Sequence, residues 1–138
     1  MKRKGNRIVS AAPDDSVAAV TRLLTEHRIG AVLVMDDDGK PVGILSERDI
    51  VRAVARDGAA ALERPATDLM TRDLITASPN DTIADMMAVM TERRIRHVPI
   101  LDSGRVVGVI SIGDVVKARI DDAELEVESL RGYVAGMG

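Results

Sequence analysis

The chain has 138 residues, 46% of them hydrophobic, and a formal net charge of −3, yet it contains one tyrosine (Tyr133), no phenylalanine and no tryptophan. Ordinary apolar content and a small net charge exclude disorder, while the lack of aromatics excludes a platform that stacks nucleobases on Phe or Tyr. With no cysteine there is no disulfide framework, thiol nucleophile, iron–sulfur cluster or Cys-type zinc site, which suits a reducing compartment.

A chain of this length buries roughly two thirds of its unfolded surface, enough for one compact domain or two small repeats sharing a core. Lys2, Arg3, Lys4 and Arg7 resemble the basic start of a signal peptide, but only Ile8 to Ala12 follow before Pro13, too short for its hydrophobic region. No stretch approaches the roughly 18 apolar residues of a membrane span. A soluble, cytoplasmic protein is therefore expected. Its pI near 5.4 argues against a general phosphate-backbone binder.

Read in order, the chain repeats itself. Residues 8–36 align without gaps on 74–102, and after omission of Asp37 the match continues from 38–54 onto 103–119; 17 of the 46 pairs are identical. The identities include Pro13/Pro79, Asp15/Asp81, Glu26/Glu92, Ile29/Ile95, Gly43/Gly108, Ser46/Ser111 and Asp49/Asp114. Two copies are too few for a solenoid and suggest a pseudo-twofold pair.

Each copy begins with a short extended segment (8–10 and 74–76) that runs into a proline turn. Asp15-Ser16 and Asp81-Thr82 then supply N-cap oxygens. Val17, Val20, Leu23 and Leu24 follow at helical spacing, as do Ile83, Met86, Met87 and Met90, so one face of each helix is core. The methionines are read as core rather than as a ligand surface.

Two strands come next, 31–35 with 42–45 and 97–101 with 106–110, separated by Asp-Asp-Asp-Gly and Asp-Ser-Gly turns. Asp36, Asp37 and Asp38 invite a calcium reading, but contiguous carboxylates with glycine fourth do not fit an EF-hand loop. The second strand leads into Ser46-Glu47-Arg48-Asp49 or Ser111-Ile112-Gly113-Asp114, where serine can cap another helix.

Strand, helix, strand, strand, helix is thus given twice, an α/β (α+β) fold with a small mixed sheet in each copy. Residues 1–62 are assigned to the first repeat, 63–124 to the second and 125–138 to a helical tail. The linker 57–67 holds Gly58, an alanine triplet and Pro65, with a helical turn expected at 68–70. The acidic stretch 121–130 is expected to extend the last helix, and Gly132, Gly136 and Gly138 to fray it.

The proline turns, the segment Arg94-Ile95-Arg96-His97-Val98-Pro99 and the Gly-x-x-Ser-x-x-Asp ending of each copy resemble the cystathionine beta-synthase (CBS) domain. From about Ile8 to Ile120 the chain looks like a stand-alone tandem CBS pair, a Bateman module. The resemblance implies a pseudo-symmetric disc with two clefts that draw on both repeats, binding adenosyl ligands such as AMP, ADP, ATP, S-adenosylmethionine or NAD(H), and usually a homodimer. It makes Asp114 and Asp49 ribose ligands. Ser111 and Ser46, with Arg96, His97 and Arg48, then serve the phosphate, and Thr76, Ser10, Val98 and Pro99 surround adenine.

Physical chemistry supports these residue types independently. Serine at a helix start places its hydroxyl and free amides at the positive end of the helix, suited to phosphate. An Asp one turn on can accept both ribose hydroxyls, and arginine pairs with phosphate charge. The second repeat carries Arg96, His97 and Pro99 where the first has Gly30, Ala31 and Leu33, so the cleft around Asp114 is expected to bind more tightly.

Simpler readings stand beside each of these. Ser and Asp in a first helical turn are often only caps, though both recur in both copies. His97 could be a packed strand histidine. Arg93, Arg94 and Arg96 could be a solvated face or a small polynucleotide patch, which the acidic pI disfavours.

No P-loop, G-x-G-x-x-G or H-E-x-x-H pattern is present, and no nucleophile–base pair can be nominated. The expectation is a regulatory adenosyl-ligand sensor of energy or redox state. It is not an enzyme, needs no cofactor and holds no metal. Its rival is a ligand-free dimerisation or docking module, built on the amphipathic helices and the acidic tail. Single-stranded nucleic-acid binding through the arginines is a distant third.

Overall fold

The structure, a computed structural model, describes residues 8–121 and Leu130. The basic N-terminus and the tail apart from Leu130 lie outside them, and so do the expectations of a helical 122–129 and of fraying glycines. The chain divides into two compact units, Val9–Leu74 and the residues from Ile75 onward with Ile8. Both are mixed α+β.

In the first unit β1 (Ser10–Ala11) runs parallel to β2 (Ala31–Met35), with Ser10 opposite Leu33. The antiparallel β3 (Pro41–Ser46) completes the order β1-β2-β3. The extended segment starts later than the sequence pattern suggests, because pairing with Leu33 and Val34, rather than hydrophobicity at Ile8 and Val9, decides which residues form the ladder.

The intervening helix α1 (Val17–His27) starts where Ser16 Oγ accepts the Ala19 amide at 3.0 Å. It ends at Arg28, whose left-handed backbone (φ 55°) turns the chain back into β2. Val17 and Val20 are fully buried, and with Leu24, Val32, Val34, Leu45 and Ile50 they form an aliphatic core.

Between β2 and β3, Asp36 Oδ1 accepts the amides of Asp38 and Lys40, each at 2.9 Å, and Gly39 takes φ 79°. The three aspartates therefore build a hairpin loop.

After α2 (Glu47–Asp57) the linker is more regular than its composition suggests: a 3₁₀ segment covers Gly58–Glu63 and a short helix, α3, spans Ala66–Leu69 rather than 68–70. Pro65 at its start supplies the fixed φ. Tertiary hydrogen bonds fix the rest. The Ala66 amide donates to the Asp15 carbonyl at 2.7 Å and the Val17 amide to the Arg64 carbonyl at 2.8 Å. Thr71 exchanges two backbone bonds with Ile44 of β3, at 3.0 and 2.9 Å.

Gly43 makes that close approach possible. A Cβ there would lie 2.5 Å from Met70 Sδ and 3.1 Å from the Thr71 carbonyl oxygen. These contacts carry the first packing unit to Leu74, beyond the 62/63 boundary expected from the sequence.

The second unit repeats the plan. Ala77 bridges Ile100 in parallel, its amide donating to Pro99 O at 2.9 Å and its carbonyl accepting from Leu101 at 2.8 Å. Thr82 and Asp85 form a reciprocal capping box that opens α4 (Ile83–Arg93). The helix ends at left-handed Arg94 (φ 57°), the counterpart of Arg28. β4 (His97–Asp102) and β5 (Arg105–Ser111) pair antiparallel around Ser103 (φ 57°) and Gly104 (φ 81°). Two successive positive φ values make this the tight two-residue hairpin, which accounts for the one-residue gap in the alignment.

α5 covers Ile112–Asp121. Ile83, Met86 and Met90 pack with Val98, Ile100, Ile110, Val115 and Leu130 in a second core.

Candidate functional site

The chemistry-bearing residues gather where the second strand of each hairpin enters its helix. In the first unit Ser46 caps α2. Its hydroxyl accepts the Asp49 amide at 3.2 Å and donates to Asp49 Oδ2 at 3.0 Å, while its own amide donates to the same carboxylate oxygen at 3.0 Å. In the second, the Ser111 amide donates to Asp114 Oδ2 and the Asp114 amide to Ser111 Oγ, both at 3.0 Å. Ser-x-x-Asp is thus a capping box in both copies.

The box leaves one carboxylate oxygen over. Oδ1 of Asp49 and of Asp114 has no protein partner among the described residues, and both side chains are partly exposed. The first amide of each helix is already used, Glu47 by the Gly30 carbonyl at 2.9 Å and Ile112 by the Arg96 carbonyl at 2.8 Å. The third bonds the serine. That leaves the second amide, of Arg48 or Gly113, free of protein partners among the described residues. Each site therefore offers a fixed carboxylate acceptor beside an unpaired amide at a helix start, matching hydroxyls on one side and an anionic oxygen on the other.

The ladder assembles the second site further. His97 sits opposite Ser111 in the β4–β5 register, and exposed Arg96 precedes it, so Arg96, His97, Ser111 and Asp114 share one end of the sheet. In the first unit Ala31 sits opposite Ser46, and exposed Arg48 follows on α2. Ser10 and Thr76 are exposed at or beside the parallel pairings of their sheets.

Val98 differs from its sequence reading. It is fully buried in the second core, so its side chain presents no surface to a base. Pro99 is buried too, and its carbonyl is taken by Ala77. Sequence alternation could have warned of this: a short all-apolar run such as Val98-Pro99-Ile100 reads as buried on both faces.

An open groove of about 460 Å³ lies elsewhere on the first unit, between α1 and α2, floored by Leu24, Ile29 and Ile50 and rimmed by Arg28, Glu47 and Val51. None of the residues assigned to ligand lines it. Among the described residues no polar or charged side chain is buried, no group of three His, Asp or Glu could hold a metal ion, and no helix is long and apolar enough to cross a membrane.

Residues 2–56 and 66–121 each match the family profile of the CBS domain. The chain belongs to the CBS domain family. It is 33% identical over 127 residues to the mitochondrial CBS domain-containing protein CBSX3 of Arabidopsis thaliana, covering 89% of this chain and 62% of that protein's length. With CBS domain-containing protein YhcV of Bacillus subtilis it shares 29% over 111 residues, 78% of this chain and 76% of the relative.

Among solved structures, the CBS-domain protein ATU1752 of Agrobacterium tumefaciens superposes with a TM-score of 0.80 at 46% identity, over 84% of this chain and 87% of that one. The CBS domain pair of protein MJ0100, solved in complex with 5′-methylthioadenosine and S-adenosyl-L-methionine, gives 0.76 at 27% identity, over 83% and 90%. Tandem CBS repeats and their α+β fold are therefore established for this chain, and the CBS pair is typically a regulatory element.

Proposed function

We propose that this CBS pair is a non-catalytic, cytoplasmic regulatory module that binds an adenosyl ligand and signals through conformation or through the arrangement of a homodimer. The observation that carries this reading is the doubled capping box, in which a carboxylate is locked to the helix start by one oxygen while the other remains unpaired. Asp114 and Asp49 accept the ribose hydroxyls. Ser111 and Ser46, the adjoining amides, Arg96, His97 and Arg48 meet phosphate or another polar substituent.

Thr76 and Ser10 lie beside the adenine. The backbone flanking Val98 and Pro99 contributes edges rather than side-chain surface. With no Phe, Tyr or Trp among the described residues, the base takes its specificity from backbone hydrogen bonds. The methylthioadenosine and S-adenosylmethionine of the MJ0100 pair support an adenosyl group as the shared element. AMP, ADP, ATP and NAD(H) complete the set, and the Asp114 site, with Arg96 and His97 where the first unit has Gly30 and Ala31, binds more tightly than the Asp49 site.

Thermal shift against these compounds tests the reading. A ligand at 100 times its dissociation constant stabilises by about 2.7 kcal/mol, a shift of several degrees. Asp114→Ala should remove most of it. Because that substitution also breaks a cap, Asp85→Ala is the control: it breaks the capping box of α4 and should lower the melting temperature without touching the ligand-induced shift. A full shift in Asp114→Ala would refute the ribose assignment.

A second reading, a ligand-free dimerisation or docking module, is favoured by one observation. Val51 and Val116, identical and aligned in the two repeats, are 65% and 42% exposed, and Ile120 is 69% exposed. A dimer by light scattering that ignores every adenosyl compound would select it.

A further inference from the structure

We infer that Leu130 is a docking residue by which the chain's C-terminal segment completes the second unit, in the place that the inter-repeat linker fills on the first. In the first unit the carbonyl of Asp15, just ahead of the α1 cap, accepts the amide of Ala66 at 2.7 Å. In the second, the carbonyl of Asp81, its aligned counterpart just ahead of the α4 cap, accepts the amide of Leu130 at 2.6 Å.

The side chains follow the backbone. Ala66 is fully buried against Val17, Val20 and the rest of the first core, and Leu130 is fully buried with Ala77, Ile83, Met86 and Met90 in the second. The surroundings of the two acceptors also match. Asp15 Oδ2 accepts the Ala12 amide and Asp81 Oδ2 the Ser78 amide, each at 2.9 Å, so each aspartate braces its proline turn and turns its carbonyl to the incoming segment.

The two donors are not homologous by the repeat alignment, which stops at Val54 and Arg119. One comes from the segment at which the second family match begins and the other from beyond Arg119. Each repeat therefore carries a receptor point ahead of its first helix that its own aligned residues do not satisfy. Leucine where the linker has alanine gives the larger apolar anchor, and both side chains are fully buried.

The consequence reaches the candidate site. The turn braced by Asp81 runs directly from Thr76 and Ala77, and Ala77 is hydrogen-bonded to β4 at Pro99 and Leu101. Loss of Leu130 docking should loosen this corner of the second unit and leave the first unit's equivalent, held by Ala66, intact.

Amide hydrogen exchange on the full-length chain tests the inference without reference to any ligand. In the wild-type protein the Leu130 amide should be protected; exchange at the rate of an unstructured peptide would overturn the proposal. In Leu130→Ala, peptides covering 77–90 should exchange at least about tenfold faster, while those covering 11–24 stay within about twofold of wild type. The volume-conserving Leu130→Met should remain close to wild type in both. Unchanged exchange in 77–90, or equal acceleration in both units, would refute the placement of Leu130 as the second unit's own docking residue.

Discussion

The two units share a sequence pattern and solve the same local problems with different chemistry. α1 starts on a single serine cap, whereas α4 has a reciprocal capping box. The first hairpin uses an aspartate-braced loop with one left-handed glycine, the second a tight turn with two left-handed residues, Ser103 and Gly104. The first unit is contiguous in sequence, whereas the second joins Ile8 to the residues from Ile75 onward and buries Leu130 in its core. What the repeats hold in common is the strand-to-helix junction, whose Ser-x-x-Asp box has the same two reciprocal amide bonds in both copies, with a further Ser46 hydroxyl bond to Asp49 in the first. Scaffold solutions drift between copies, and the junction that presents a free carboxylate oxygen does not.

The comparison can be broken most forcefully in the cores. Leu45→Ala and Ile110→Ala remove aligned, fully buried side chains and should each cost about 2–5 kcal/mol by urea unfolding. If hydrogen exchange locates both losses in the same unit, the division into two packing units is wrong.

Gly43→Ala comes next. Its methyl must push Met70 aside and approach the Thr71 carbonyl, so a loss of about 1–3 kcal/mol is expected, visible as faster exchange at Ile44 and Thr71. A smaller effect belongs to the boxes themselves. Asp49→Ala and Asp114→Ala, measured without ligand, should each cost about 0.5–2 kcal/mol in chemical denaturation, and near-equal values would show that the two junctions are mechanically alike. The smallest concerns the tight hairpin: Ser103→Asn suits the left-handed position better and should gain a few tenths of a kcal/mol in melting experiments, about 0.5 kcal/mol at most.

Much of this was legible in the residues. Ser16, Thr82, Ser46 and Ser111 announce helix starts because a short side-chain oxygen ahead of an apolar-periodic run has one favourable use. Val17, Val20 and Leu24, like Ile83, Met86 and Met90, fall on the buried faces that their spacing predicts. The site's junctions followed from the same reading.

What stayed hidden depends on contacts distant in sequence. Ser10–Ala11 pair where β2 dictates. Ala66 and Thr71 are ordered by bonds to Asp15 and Ile44, which no local window contains. The family motif around Val98 suggests a place beside a base, but the side chain packs in the core with Met86 and Met90 of α4.

The docking of the linker also has a consequence for the order in which the protein acquires its structure on the ribosome. The first unit has all its parts once Leu74 has been made and has left the exit tunnel, because the strand partner of Ile44 and the donor to Asp15 are then both available. The second cannot be complete before Leu130, roughly 60 residues and, at about 5–20 residues per second, roughly 3–12 s later. For that interval the nascent chain carries one finished half with its own junction at Ser46 and Asp49, so folding of the two halves is ordered in time by where the donors of two backbone hydrogen bonds happen to lie in the sequence.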